Sequence, residues 1–154
     1  MQQMKGYIFF TPEGFEKVKE EKNVLLSNRP EAVQSLRTAR EMGDLSENAA
    51  YKVARSKLSS VDSRLKHLDH LIRSARITEK PTPGIVGIGS KVELFDGKKN
   101  FNYKIVGSYE SDPSNGKISH ISPIGKTIMG KRKGDAVNVS TPQGSSTFRI
   151  INVE

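Results

Sequence analysis

The chain predicts an α+β protein with segregated parts, a helical hairpin first and a small antiparallel sheet domain after it. Three observations carry this. An apolar stripe at heptad spacing runs through residues 51–75. Glycine and proline become frequent only after about residue 80, and the segments beyond that point alternate apolar and polar residues at strand period. The change falls at "EKPTPG", where Pro81, Pro83 and Gly84 favour an extended connector, so residues 1–79 read as an arm and 80–154 as a second domain.

The arm opens at "TPEGF". Thr11 is placed to cap a helix, Pro12 suits its first position, and Glu13 and Glu16 complement the positive helix end. Phe15, Val18, Lys22 and Leu25 follow a helical spacing, which Pro30 should kink or restart. Ala32, Leu36 and Ala39 resume it toward Met42, and Gly43 is a suitable stop. In the second helix Tyr51, Ala54, Leu58, Val61, Leu65, Leu68, Ile72 and Ala75 advance by 3, 4, 3, 4, 3, 4, 3, a coiled-coil seam. The remaining positions are charged, so the stripe is wide enough for one partner helix only. The first helix, joined by a few residues, becomes its antiparallel neighbour. Spanning residues 47–76, the second helix would extend about 45 Å at a rise of 1.5 Å per residue, with the bend at the far end.

In the second domain, "SKVELF" and "FNYKIVGSY" read as strands around the turn "DGKKN", and "DPSNGK" is a further turn. "SPIGKTIMG" is a short helix opened by Ser122 and Pro123. "AVNVST" and "STFRIINVE" complete the sheet around "PQG".

Bulk composition narrows the function classes. A net charge of +8 favours an anionic partner such as nucleic acid. The absence of cysteine excludes disulfides and thiolate metal sites. No stretch has the apolar length of a signal sequence or a membrane span, so a cytoplasmic protein without a membrane partner is expected.

The bend "EMGDLSENAAY" raises the functional question. Asp44 and Glu47 stand three residues apart, the spacing of a helix cap, with Ser46 a rival for that role. Capping leaves unexplained why Arg40, Tyr51, Lys52 and Arg55 crowd the same end. Carboxylates beside cations and an aromatic ring can share Mg²⁺ while their neighbours hold phosphate and a stacked base. His67 and His70 lie at helical spacing but lack a third ligand nearby, and with His120 they read as solvated surface residues.

Two motifs carry a resemblance that spans nearly the whole chain. "RPEAVQSLRTAREMGDLSENAAYKVAR" resembles the arm of the bacterial transcript cleavage factors, the GreA/GreB family. "ISPIGKTIMGKRKGDAVNVSTPQG" resembles that family's C-terminal signature. The resemblance implies an antiparallel coiled coil followed by a domain like the FK506-binding proteins. It implies a monomeric factor, not itself an enzyme, whose globular domain docks on bacterial RNA polymerase through Ile121, Ser122 and Pro123. The coiled coil would thread the secondary channel. Asp44 and Glu47 would then help hold the polymerase's second Mg²⁺ and a water, the free protein binding no cofactor. Arg40 and Arg55, with Tyr51 and Lys52 beside them, would contact the RNA 3′ end. The chain departs from the pattern at Ala50, where familiar members carry an acid, and at Ile121, where members similar to GreB carry Asp.

Three other readings compete. A channel-binding regulator of the same fold would tune polymerase without promoting cleavage. A peptidyl-prolyl isomerase would need an aromatic-lined pocket, hard to build from six Phe, four Tyr and no Trp. A general nucleic-acid binder would use the basic arm, with steep salt dependence and no need of polymerase.

Overall fold

The computed structural model describes residues 6–44 and 47–154, which form two compact units. One is the hairpin Phe15–Ser74; the other joins the opening segment up to Gly14 with Ala75–Glu154.

The hairpin is made of α1 (Pro12–Arg40) and α2 (Ala49–Ser74). Thr11 caps α1 as expected, its hydroxyl oxygen accepting the Gly14 amide at 3.1 Å. Contacts between the helices show the antiparallel arrangement directly. Lys22 pairs with Asp69 and Arg29 with Asp62, and Ala39 meets Asn48, so positions rise on one helix as they fall on the other; Glu21 pairs with Arg64 in the same stretch. The buried seam comprises Val18, Ala32 and Ala39 on α1 with Ala54, Leu65, Leu68 and Leu71 on α2. Small alanines toward the bend let the backbones approach. Fully buried Leu68 anchors the other end, a side chain worth about 1.5–3 kcal/mol in apolar transfer.

Three details of the arm differ from expectation. Pro30 does not end α1, which continues to Arg40. Pro30 and Leu26 are both exposed, so water can reach the Leu26 carbonyl that a proline four residues on leaves without a donor. The bidentate Arg29–Asp62 pair and buried Ala32 fasten α1 on either side of it. Leu71 is buried while Ile72 is only half-buried, because an α-helix turns 3.6 residues per repeat and drifts off a strict heptad. Finally, α2 covers Ala49–Ser74 rather than 47–76, and Ala75 starts a strand.

That strand, β2 (Ala75–Ile77), pairs in parallel with β1 (Ile8–Phe10), so the chain leaves one strand for the hairpin and returns into its neighbour. Phe10 is fully buried and leans on the Tyr109 ring at 5.9 Å, while Phe9 meets the edge of His120 at 5.7 Å. His120 is therefore half-buried, with Nδ1 3.3 Å from the Val106 carbonyl, unlike exposed His67 and His70.

The main sheet contains β3 (Lys91–Phe95), β4 (Asn100–Val106), β5 (Lys117–Ser119), β6 (Ala136–Thr141) and β7 (Gly144–Val153), in the order β5-β4-β3-β7-β6. It is mostly antiparallel; β5, absent from the sequence reading, joins β4 in parallel. The strand foreseen through Tyr109 stops at Val106. Gly107 begins a tight turn where a Cβ would collide with the Phe9 carbonyl, so only glycine fits. Alternate residues Val92, Leu94, Val137, Val139, Phe148 and Ile150 build the core, with Ile105, Ile118 and Val86. The core is closed by Ile128 of α3 (Pro123–Ile128).

Candidate functional site at the helical bend

The bend, residues 41–48, lies at the opposite end of the hairpin from Phe15 and Ser74. α1 runs out through 3₁₀-type bonds, Glu41 N–H to the Thr38 carbonyl (3.2 Å) and Met42 N–H to the Ala39 carbonyl (3.3 Å). Gly43 then takes φ +121°, a left-handed value that side chains rarely adopt.

Asn48 closes the bend. Its Oδ1 accepts the Tyr51 amide at 3.0 Å, which caps α2, and its Nδ2 donates to the Ala39 carbonyl at 2.8 Å. One amide thus fastens the end of α1 to the start of α2. The expected cap on Asp44 is corrected here, since Asn48 takes the third helical amide; Ser46 lies outside the described residues. A signal was available: Asn directly before "AAY" is a strong cap residue, though the Asp-x-x-Glu spacing drew attention away from it.

Asp44 and Glu47 are both exposed. Glu47 sits just before the cap, at the positive end of α2. Arg40, in the last turn of α1, lies over the Tyr51 ring at 5.9 Å, so these two site residues meet across the bend. Lys52 is exposed in the first turn of α2, its amide bonded to the Asn48 carbonyl at 3.2 Å. Arg55 is exposed one turn further on, along a groove with Leu36, Leu58 and Asp62. A different groove is mostly apolar, with Met42, Ala49, Ala50, Val53 and Ala54 beside Glu31, Gln34 and Lys57; Ala50 contributes a methyl group there where an acid was the familiar pattern. Among the described residues no group of three or more His, Cys, Asp or Glu could hold a metal ion alone. Two exposed carboxylates are hard oxygen donors suited to Mg²⁺, which is commonly bound through one or two such groups plus phosphate oxygens.

The second predicted cluster lies on the sheet unit. Ser122 caps α3, its Oγ accepting the Gly125 amide at 3.0 Å and donating to the Ser119 carbonyl at 2.7 Å. Pro123 is the first residue of α3. Gly125 leaves room for the Ser119 carbonyl, which a Cβ would strike. This rigid corner presents Ile121, whose large apolar side chain is 54% exposed.

The hairpin with acids at its bend and the sheet unit each have counterparts among known proteins. The profile described as "Transcription elongation factor, N-terminal" matches residues 8–77, and "Transcription elongation factor, GreA/GreB, C-term" matches residues 80–154. The class is that of transcription elongation factors. The chain belongs to the GreA/GreB family. It is 43% identical over 150 residues to transcription elongation factor GreA of Geobacillus kaustophilus, covering 94% of both chains. It is 42% identical over 152 residues to GreA of Oceanobacillus iheyensis, covering 95% of this chain and 96% of that one. Among solved structures it resembles GreA factor homolog 1 of Thermus thermophilus, with a TM-score of 0.46 and 26% identity over 96% of this chain and 99% of that one. No helix of the described residues is long and apolar enough to cross a membrane.

Proposed function

We propose that the protein is a transcript cleavage factor that works in trans inside bacterial RNA polymerase. The hairpin enters the secondary channel, and Asp44 and Glu47 act on the 3′ end of a backtracked RNA. The observation that carries this reading is the bend itself: the Asn48 side chain ties the end of α1 to the start of α2 and supplies the cap, and both acids are exposed beside it. Ionised carboxylates only accept hydrogen bonds, so the pair orients water protons and offers oxygens to an ion the polymerase grips weakly. Such an ion stabilises charge on attacking and leaving phosphate oxygens. Arg40 and Arg55 pair with phosphate, Tyr51 offers a stacking face, and Lys52 adds a point charge.

The factor is not an enzyme by itself, since two solvated carboxylates have neither the positioning nor the dry surroundings that hydrolysis needs. Ile121, on the corner fixed by Ser122 and Pro123, supplies an apolar contact to polymerase. A monomer acting in the cytoplasm suffices for these roles. The test is cleavage in stalled, backtracked elongation complexes supplied with Mg²⁺. Wild type is expected to release short 3′ RNA fragments faster than polymerase alone. Asp44→Ala and Glu47→Ala are each expected to lose about tenfold or more of that stimulation, at least ~1.4 kcal/mol of barrier, while still binding polymerase. Unchanged cleavage by both variants would remove the acids from the mechanism.

A further inference from the structure

Strand β6 is an edge of the five-stranded sheet, paired with β7 on one side and open on the other. The Ile150 amide donates to the Asp135 carbonyl at 2.9 Å, and bonded pairs recur at every second residue of an antiparallel ladder. Val137, Val139 and Thr141 therefore exchange bonds with Phe148, Ser146 and Gly144. Ala136, Asn138 and Ser140 turn their amides and carbonyls the other way, toward the open edge. Among the described residues, no loop or cap engages these groups.

Such a row is a template for another strand, which proteins blunt with charge, proline, a bulge or short length. Over Ala136–Thr141 the strand uses none of these. It has six residues and an unbroken register with β7, and its exposed side chains are Ala136, Asn138, Ser140 and Thr141. Buried Val137 and Val139 hold the edge rigidly to the core.

The start of this edge is strongly basic. Lys131, Arg132 and Lys133 of the α3–β6 loop are exposed, as are Lys126 on α3 and Arg149 on β7. One acid lies among them, Asp135, and its Oδ2 accepts the Arg132 amide at 2.8 Å. Arg149 stands between Phe95 and Ala136, neither of them acidic. The nearest acids of β3 and its turn are occupied. Glu93 accepts from Asn100 Nδ2, and Asp96 accepts the amides of Lys98 and Lys99. No ion pair among the described residues engages any of the five cations.

Charge selects the occupant. Two copies of β6 paired antiparallel would each bring the basic loop to the uncharged turn of Pro142 and Gln143, leaving the cations unmatched. An extended segment with carboxylates at its C-terminal end, running antiparallel to β6, meets both features at once.

We propose that β6 receives an acidic extended peptide as an added strand. Its main chain bonds to Ala136, Asn138 and Ser140, and its carboxylates meet Lys131, Arg132 and Lys133. The site lies on the sheet unit and does not rest on the role of the bend.

The test is fluorescence anisotropy of a labelled peptide of about ten residues, alternating valine and threonine and ending in three glutamates, titrated with the full-length protein. A second probe is the same peptide with alternate backbone amides N-methylated, which blocks strand pairing and keeps the charge. Asn138→Pro removes an edge amide that faces away from β7, so it should melt close to wild type while losing the peptide. If it melts much lower, the N-methylated probe decides, since it leaves the protein intact. Lys131→Gln/Arg132→Gln/Lys133→Gln should bind about tenfold more weakly, whereas the charge-matched control Lys17→Gln/Lys66→Gln/Lys80→Gln should keep its affinity. The N-methylated probe should bind wild type at least about tenfold more weakly than the parent peptide. Equal binding of the two probes would overturn the proposal, as would equal weakening in both triple variants. So would an absence of saturable peptide binding below about 1 mM, or tighter binding of a single-stranded RNA of equal charge.

Discussion

Asn48 and Glu110 each hold two strands of backbone with a single side chain. The Asn48 amide caps α2 and grips the Ala39 carbonyl, so Asn48→Ala removes a cap and a tie between the helices together. Loss of the cap alone costs about 0.5–2 kcal/mol, readable by urea unfolding. Asn48→Asp keeps the acceptor toward Tyr51 and loses the donor toward Ala39, so it should recover much of the stability but not the fixed bend. If Asn48→Asp stimulates cleavage by polymerase as well as wild type, the clamp is not what positions Asp44 and Glu47. Glu110 accepts the Thr11 amide at 2.8 Å and the Thr11 hydroxyl at 2.5 Å, and its carboxylate fills the space a Cβ at position 14 would need. Sequence gave Thr11 its capping role correctly. It could not reveal a partner 99 positions away, because no local pattern connects the two residues.

Within the hairpin, the charged positions flanking the seam pair across it, and these pairs give the arm a calculable response to acid. Hydrogen bonding to Arg64 holds Glu21 below the ordinary carboxylate value, and Arg29 and Lys22 do the same for Asp62 and Asp69. A folded pKa below the unfolded one means stability that is fully present above the unfolded value and lost as pH falls through the folded value. Wild type should therefore melt higher than Arg29→Gln/Arg64→Gln/Lys22→Gln at neutral pH. The gap should close below about pH 4, where unfolded carboxylates protonate. A gap that stays constant down to strongly acid pH would show that the pairs contribute nothing through ionisation. Leu68→Ala, by contrast, should cost about 2–5 kcal/mol at any pH, as a core truncation does.

The heptad was legible because each seam residue repeats the same local demand. Leu71 and the continuation through Pro30 were not. Both depend on where the partner helix lies, which periodicity in one helix does not specify. The three-residue strands β1, β2 and β5 escaped for a related reason: their partners, not their own residues, make them strands. The bend acids were picked out by their company of cations and an aromatic ring, whereas the cap of α2 on Asn48 became visible only in the structure.

For the whole chain, binding and chemistry are assigned to different units, so they should separate genetically. Asp44→Asn/Glu47→Gln is expected to bind polymerase and, in excess, to inhibit cleavage stimulated by wild type. Adding Ile121→Lys to that variant should abolish the inhibition, because an ammonium group would replace the exposed apolar side chain. Inhibition that survives Ile121→Lys would place docking elsewhere.

The most direct measurement is the Mg²⁺ dependence of cleavage in backtracked complexes, with wild type, with Asp44→Asn/Glu47→Gln, and with no factor. Substitution by amides keeps shape while removing the charge that attracts a divalent ion. Wild type should lower the Mg²⁺ concentration needed for half-maximal cleavage, and the amide variant should return it to the value of polymerase alone. Coincident Mg²⁺ curves for wild type and the amide variant would contradict the role given to the bend.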